Sequence, residues 1–251
     1  MSPWTYLLLL LTGLAAGCID AMAGGGGLIT LPVLLNVGMP VPLALGTNKF
    51  QASFGSCSAA WHYTRAGATR PATLWKGVLF TLIGALLGAW AVKSINGALL
   101  SRSIPWLLLA IFLYTAAKPQ IGTKARPARV GEALFWPVAG LLLGFYDGFF
   151  GPGTGSFWTI AIVLLLGRDF LTATAETKVM NATSNLTALA FFALGGQVNL
   201  AAGAVMAVGQ LVGTRIGTHL VLSRGAKLVR PLFLLVVSAT ILRLFYLAWF
   251  R

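Results

Sequence analysis

From Trp4 to Ala23 the chain runs twenty residues with one charged side chain, Asp20. As an α-helix this run rises about 30 Å, the thickness of a bilayer's hydrocarbon core. Further apolar segments fall at about 28–38, 41–64, 73–93 and 104–117. A second set falls at about 132–150, 156–167, 170–193, 199–222 and 231–250. Lipid offers no water to satisfy exposed backbone N–H and C=O groups, so segments of this kind fold as helices that bond internally. Charged residues make up only 9% of the chain, against about 25% in a soluble domain. The expected fold is therefore an all-α polytopic membrane protein with 8–10 membrane segments.

The net charge of +13 would suit a nucleic-acid binder if the basic residues formed a patch. Instead most of the 18 Lys and Arg lie in short connections between apolar segments, as the positive-inside rule requires. The charge reports membrane orientation and contact with anionic lipid headgroups, and nucleic acid is excluded as a partner. Cys18 and Cys57 both lie in apolar segments, form no metal-spacing pattern, and read as small packing residues. A cleaved signal peptide is not expected, because no charged region precedes the first apolar run.

Five segments followed by five suggest a duplication, and a register exists. Gly13, Leu14, Gly17, Asp20, Gly24 and Gly26 match Gly140, Leu141, Gly144, Asp147, Gly151 and Gly153 at an offset of 127. Past a two-residue insertion, Gly38, Ala44 and Lys49 match Gly167, Ala173 and Lys178 at 129. Gly84-x-x-x-Gly88 matches Gly209-x-x-x-Gly213 at 125, a spacing that lets membrane helices pack closely. The expected organisation is a first repeat over 1–117, a basic cytoplasmic linker over 118–131, and a second repeat over 132–251. If each half crosses an odd number of times, the copies are inverted. With both termini outside, the inner connections hold eleven Lys and Arg and the outer ones three: Lys93, Arg102 and Arg251. Inversion thus fits the charge distribution.

Residues 28–38 and 156–167 are too short to cross alone, rising about 16 and 18 Å as helices. Each follows a glycine tract, "GGGGLIT" (24–30) or "GPGTGSF" (151–157), and is expected to be a broken or re-entrant helix. Paired breaks of this sort mark the binding site in transporters. A helix that starts inside the membrane presents unpaired N–H groups and a partial positive charge, which attract an anion, and glycine lets backbone approach a ligand. Candidate substrate contacts are therefore Gly24, Gly25, Gly26, Gly27, Gly151, Gly153, Thr154 and Gly155. The third segment of each half adds Asn48, Lys49 and Gln51, and Lys178, Asn181 and Asn185, the last three sharing one helical face. Asp20, Asp147 and Glu176 are candidates either to carry a coupling proton or to cap helices and pair with the lysines. The lysines in turn serve as internal counter-ions or as contacts for a substrate anion. Arg215 lies mid-segment, able to line a cavity or reach the inner surface, and His62 and His219 read as interfacial packing residues.

No HExxH, CxxC, GxSxG or GxxxxGK[ST] pattern is present, so neither an enzyme nor a bound cofactor or metal is expected. The stretches "GCIDAMAGGGGLITLPVLL" (17–35), "ALGTNKFQASFGS" (44–56), "GFYDGFFGPGTGSF" (144–157), "ETKVMNATSN" (176–185) and "GTRIGTHLVLSRGAKLVRP" (213–231) resemble the TauE/SafE sulfite exporter (TSUP) family and its YfcA-like branch. The resemblance implies a multi-pass transporter of the bacterial inner membrane that moves sulfite, thiosulfate or an organosulfonate, often outward. A small anion is also what two lysines, two helix starts and several amide and hydroxyl donors would bind. Competing readings are an anion-selective channel with the glycine loops as its constriction, and a membrane assembly or sensor protein that moves nothing.

Overall fold

The structure, a computed structural model, describes residues 1–93, 106 and 125–224. Among the expected segments, 231–250, all of 104–117 except residue 106, and the 118–124 part of the linker lie outside the described residues. The chain is an all-α polytopic membrane protein, with no strand among the described residues. In chain order the helices are α1 (Pro3–Ala23), α2 (Gly27–Asn36), α3 (Val41–Arg65), α4 (Trp75–Lys93), α5 (Glu132–Phe149), α6 (Thr154–Ala161), α7 (Phe170–Leu194) and α8 (Leu200–Arg224). A 3-10 turn, Pro71–Leu74, leads into α4, and a π turn, Ile162–Leu166, extends α6.

Among the described residues, three stretches are both long and apolar enough to cross a membrane: Pro3–Met22, Pro71–Val92 and Leu200–Ser223. They present Leu8, Leu11, Leu87, Trp90 and Val208 outward, where lipid rather than water is the neighbour. The helices α3 and α7 are 25 residues each, long enough to span at about 37 Å, yet polar along the side that faces inward. They begin at 41 and 170, so their starts keep the 129-residue register read from the sequence (170 − 41 = 129).

Glycine seams decide which helices meet. α1 packs along α8, α4 along α5, and α3 along α7. In the first seam a Cβ on Gly209 or Gly213 would stand 2.2 or 2.0 Å from the carbonyl oxygens of Leu10 and Leu14, and one on Gly13 or Gly17 would strike the Met206 and Gln210 carbonyls. In the second, Gly84 and Gly88 press on Leu141 and Phe145, while Gly140, Gly144 and Gly148 press on the Phe80–Ala85 stretch. Hydrophobic driving force is absent between helices in lipid, so close backbone approach of small residues supplies the attraction. Each seam joins a helix before residue 94 to one after residue 131.

The two breaks fall where the glycines are. α1 ends on Gly24 at φ +74°, and α6 is entered through Gly153 at φ +82°, left-handed values that favour glycine. α2 and α6 then run for ten and eight residues. The two glycine loops touch: a Cβ on Gly24 would lie 2.3 Å from the Gly155 carbonyl carbon, and the Ser156 amide donates to the Gly24 carbonyl at 3.2 Å.

Candidate functional site

Around this loop contact two buried ion pairs cross between the two sets of helices. Lys49 on α3 reaches Asp147 on α5, Nζ to Oδ1, at 2.7 Å. Lys178 on α7 reaches Asp20 on α1, Nζ to Oδ2, at 3.1 Å, and also donates to the Asp20 backbone carbonyl. Each aspartate lies near the end of the helix before a glycine loop, and each lysine two turns into a long helix. Buried cations and carboxylates at membrane depth survive only when paired, and the crossing satisfies all four charges at once.

The surroundings differ. Asp147 accepts from the Thr154 hydroxyl at 3.3 Å and from the Ser184 hydroxyl, and Lys49 donates also to Asn185 Oδ1 at 3.2 Å. Asp20 instead accepts the Gly26 amide at 3.2 Å, so it caps α2 and supplies the anion that the helix N-terminus attracts. One layer out, the Thr30 hydroxyl donates to Asn48 Oδ1 at 2.5 Å and Gln51 Nε2 to the same oxygen at 3.0 Å. At the matched positions of the second set the Thr159 and Thr177 hydroxyls bond each other at 3.1 Å.

Between these groups lies a buried cavity of about 30 Å³, room for about two waters or one small ion. The two glycine loops, Asp20, Asp147, Lys49, Asn181, Asn185 and Gln210 line it. Three of its amide oxygens, Gln51 Oε1, Asn181 Oδ1 and Gln210 Oε1, are buried with no hydrogen-bond partner. An amide turned about its last torsion offers two N–H donors in place of that oxygen. The cavity is thus a small polar chamber holding one lysine, two carboxylates and unspent amides.

The family model for sulfite exporter TauE/SafE matches residues 9–244. The chain belongs to the TauE/SafE family of membrane transporters. Among its relatives, a "Probable membrane transporter protein" of Haemophilus influenzae is 42% identical over 245 residues, 97% of this chain and 96% of that one. "Probable membrane transporter protein YfcA" of Escherichia coli is 41% identical over 246 residues, 98% of this chain and 91% of that one. A Bacillus subtilis relative, "Probable membrane transporter protein YunE", is 23% identical over 241 residues, 85% of this chain and 87% of that one. No solved structure matches the chain.

In this family member the structure gathers most of the residues singled out in the sequence. Gly24, Gly26, Gly27, Asn48, Lys49, Gln51, Gly151, Gly153, Thr154, Gly155, Asn181 and Asn185 line the chamber together with both aspartates. Gly25 and Lys178 do not; the Lys178 side chain is fully buried behind Asp20. Glu176 stands apart on Arg168, Oε1 to Nε at 3.5 Å, and Arg168 also pairs with Glu132. Of the alternatives open for the aspartates, both hold lysines and Asp20 also caps a helix. Sequence reasoning missed Gln210 and Ser184. Gln210 carried a usable signal, a lone amide inside the glycine-spaced apolar run "VGQLVG" (208–213). Ser184 had none, because its partner Asp147 is 37 residues away.

Proposed function

We propose that this transporter carries a small sulfur-containing oxyanion, sulfite, thiosulfate or a short sulfonate, through the chamber at Lys49. The observation that carries the reading is the chamber itself: room for one small ion, a buried ammonium group, and two amides, Asn181 and Gln210, whose oxygens have no hydrogen-bond partner. Incoming oxyanion oxygens take Lys49 from Asp147 and accept from the turned amides. Drug-sized ligands need about 300 Å³ or more, so the size argues for an inorganic anion or a very short sulfonate.

Displacing Asp147 leaves a buried carboxylate without its cation, a state that costs several kcal/mol. Uptake of a proton by Asp147 offsets this, with the Ser184 and Thr154 hydroxyls keeping the group in place. Anion and proton then travel together. The halves 1–117 and 132–251, inverted across a cytoplasmic linker with both termini outside, rock about the loop contact, and export follows when the gradients favour it. The cross-over of the ion pairs and of the glycine seams supports this reading, since each half then grips the other at matched positions.

Reconstituted into liposomes, the protein is expected to show saturable sulfite counterflow accompanied by proton movement in the same direction. A channel shows no counterflow, and an assembly or sensor protein shows no flux above that of a Lys49→Ala variant. Binding of chloride or a cation by the purified protein, with no binding of any sulfur anion, would sink the substrate assignment.

A further inference from the structure

We propose that the groove between the ends of α3 and α8 is a second anion site, separate from the chamber, that holds a phosphate group at the membrane surface. His62, Arg65, Arg215 and His219 line one open cavity of about 690 Å³ together with Thr218, Ile216, Leu220 and Leu222. None of these residues lines the central chamber. Two guanidinium groups, Arg65 and Arg215, face this single groove and repel one another, and an anion lying between them relieves that repulsion.

This chain has no side-chain carboxylate to spare for them. It contains five acidic residues in all. Asp20 holds Lys178, Asp147 holds Lys49, Glu132 and Glu176 share Arg168, and Asp169 caps α7 through the Thr172 amide and hydroxyl. The anion that neutralises the groove therefore comes from outside the side chains. A second observation points the same way. The Thr218 side chain, on the groove wall, is 99% buried and its hydroxyl has no hydrogen-bond partner. Two forked guanidiniums, one hydroxyl and two imidazole N–H groups suit the several oxygens of a phosphate group.

The phosphate could belong to a free anion or to a phospholipid, and the walls favour the lipid. Ile216 and Leu222 line the groove with a little under half of their surface exposed, offering an apolar track beside the cations. Arg65 lies 5.6 Å above the ring of Trp61, itself 60% exposed, as aromatic residues are at the headgroup level. Basic pockets between membrane helices hold anionic headgroups by this combination.

Thermal unfolding of the full chain in detergent tests the site. Saturating cardiolipin or phosphatidylglycerol is expected to raise the Tm by about 5 °C, phosphatidylcholine to leave it unchanged, and an R65Q/R215Q variant to lose the shift. Arg70→Gln, which removes an exposed cation outside the groove, is expected to keep it. A shift produced equally by inorganic phosphate, and lost in the double variant, upholds the site with a soluble ligand. An anionic-lipid shift that survives R65Q/R215Q, or that Arg70→Gln abolishes to the same extent, overturns the proposal. Should the double variant not fold, acylation of His62 and His219 by diethylpyrocarbonate on the wild-type protein decides: slowing by several-fold in cardiolipin supports the site, and unchanged rates refute it.

Discussion

Lys49 meets Asp147 at 2.7 Å and Lys178 meets Asp20 at 3.1 Å, from positions that the internal register makes equivalent, but the groups around them are not equivalent. Beside Asp147 stand Thr154 and Ser184; at the matching positions beside Asp20 the chain has Gly27 and Gly55. Beside Lys49 stands Asn185, whose match is Ser56, and Asn181 of the chamber is matched by Ala52. Polar side chains have collected around one pair, while the other is held by backbone: the Gly26 amide on Asp20 and the Asp20 carbonyl on Lys178. Hydroxyls and amides can trade partners by turning a torsion, whereas backbone groups move only with their helix. On the proposed function, the first pair opens for a ligand and the second latches α1 to α7.

The sharpest way to break this comparison is to remove each lysine. Lys49→Ala is expected to lower sulfite binding and counterflow about 100-fold or more, through loss of a buried charge contact. Lys178→Ala is expected to act first on folding, destabilising the protein by about 3–5 kcal/mol in detergent unfolding, with the fraction that folds still binding sulfite. Equal loss of binding at equal stability in the two variants would abolish the distinction.

The aspartates sharpen it. Asp147→Asn removes the carboxylate that competes for Lys49 and is expected to tighten sulfite binding about tenfold while uncoupling proton movement. Asp20→Asn is expected to change affinity less than about twofold, within the scatter of such measurements. Isothermal titration on the purified variants reads both.

The matched glycines 24 and 151 come next. A Cβ on Gly151 would meet Lys49 Nζ at 2.7 Å and Asp147 Oδ1 at 2.9 Å, both ends of side chains, whereas one on Gly24 would meet Gly155 backbone. Both have positive φ, which costs an alanine about 1–2 kcal/mol. Gly151→Ala is therefore expected to impair transport out of proportion to its stability loss, and Gly24→Ala to lose mainly stability as the loop contact is forced apart.

The smallest loss of stability is expected at Asp169, the cap of α7, for which α3 has Pro40 and no side-chain cap. Partial burial pushes the Asp169 carboxyl up, but hydrogen bonds from the Thr172 amide and hydroxyl outweigh it and hold the group below the ordinary carboxylate range. Asp169→Ala is expected to cost about 1 kcal/mol. A carboxylate held low in the folded state stabilises above its unfolded value near 3.9, and that contribution fades as pH falls through the folded value. The difference from wild type in thermal unfolding should accordingly be full near pH 7 and close below about pH 4.

Much of this was legible in the sequence because the relevant signals are local. Twenty apolar residues make a span whatever their neighbours, glycine runs end helices where they stand, and segments of about a dozen residues cannot cross a bilayer. Membrane class, the short helices α2 and α6, and most chamber residues follow from such facts. Partner choice is another matter, since pairing across 98 or 158 residues leaves no mark in spacing or periodicity. Lys49 and Lys178 read as equals, and only the packing of α1 on α8 and α4 on α5 leaves one of them facing the chamber and the other sealed behind Asp20. The same packing carries Gln210 from an apolar run on α8 to the chamber wall and brings Arg215 into the same groove as Arg65. Hydrophobicity, glycine and charge along the chain thus determined that it would be a helical membrane protein with two broken helices and buried ions. The tertiary structure decided which ions meet, because backbone contact along the glycine seams sets the mutual register of helices far apart in sequence.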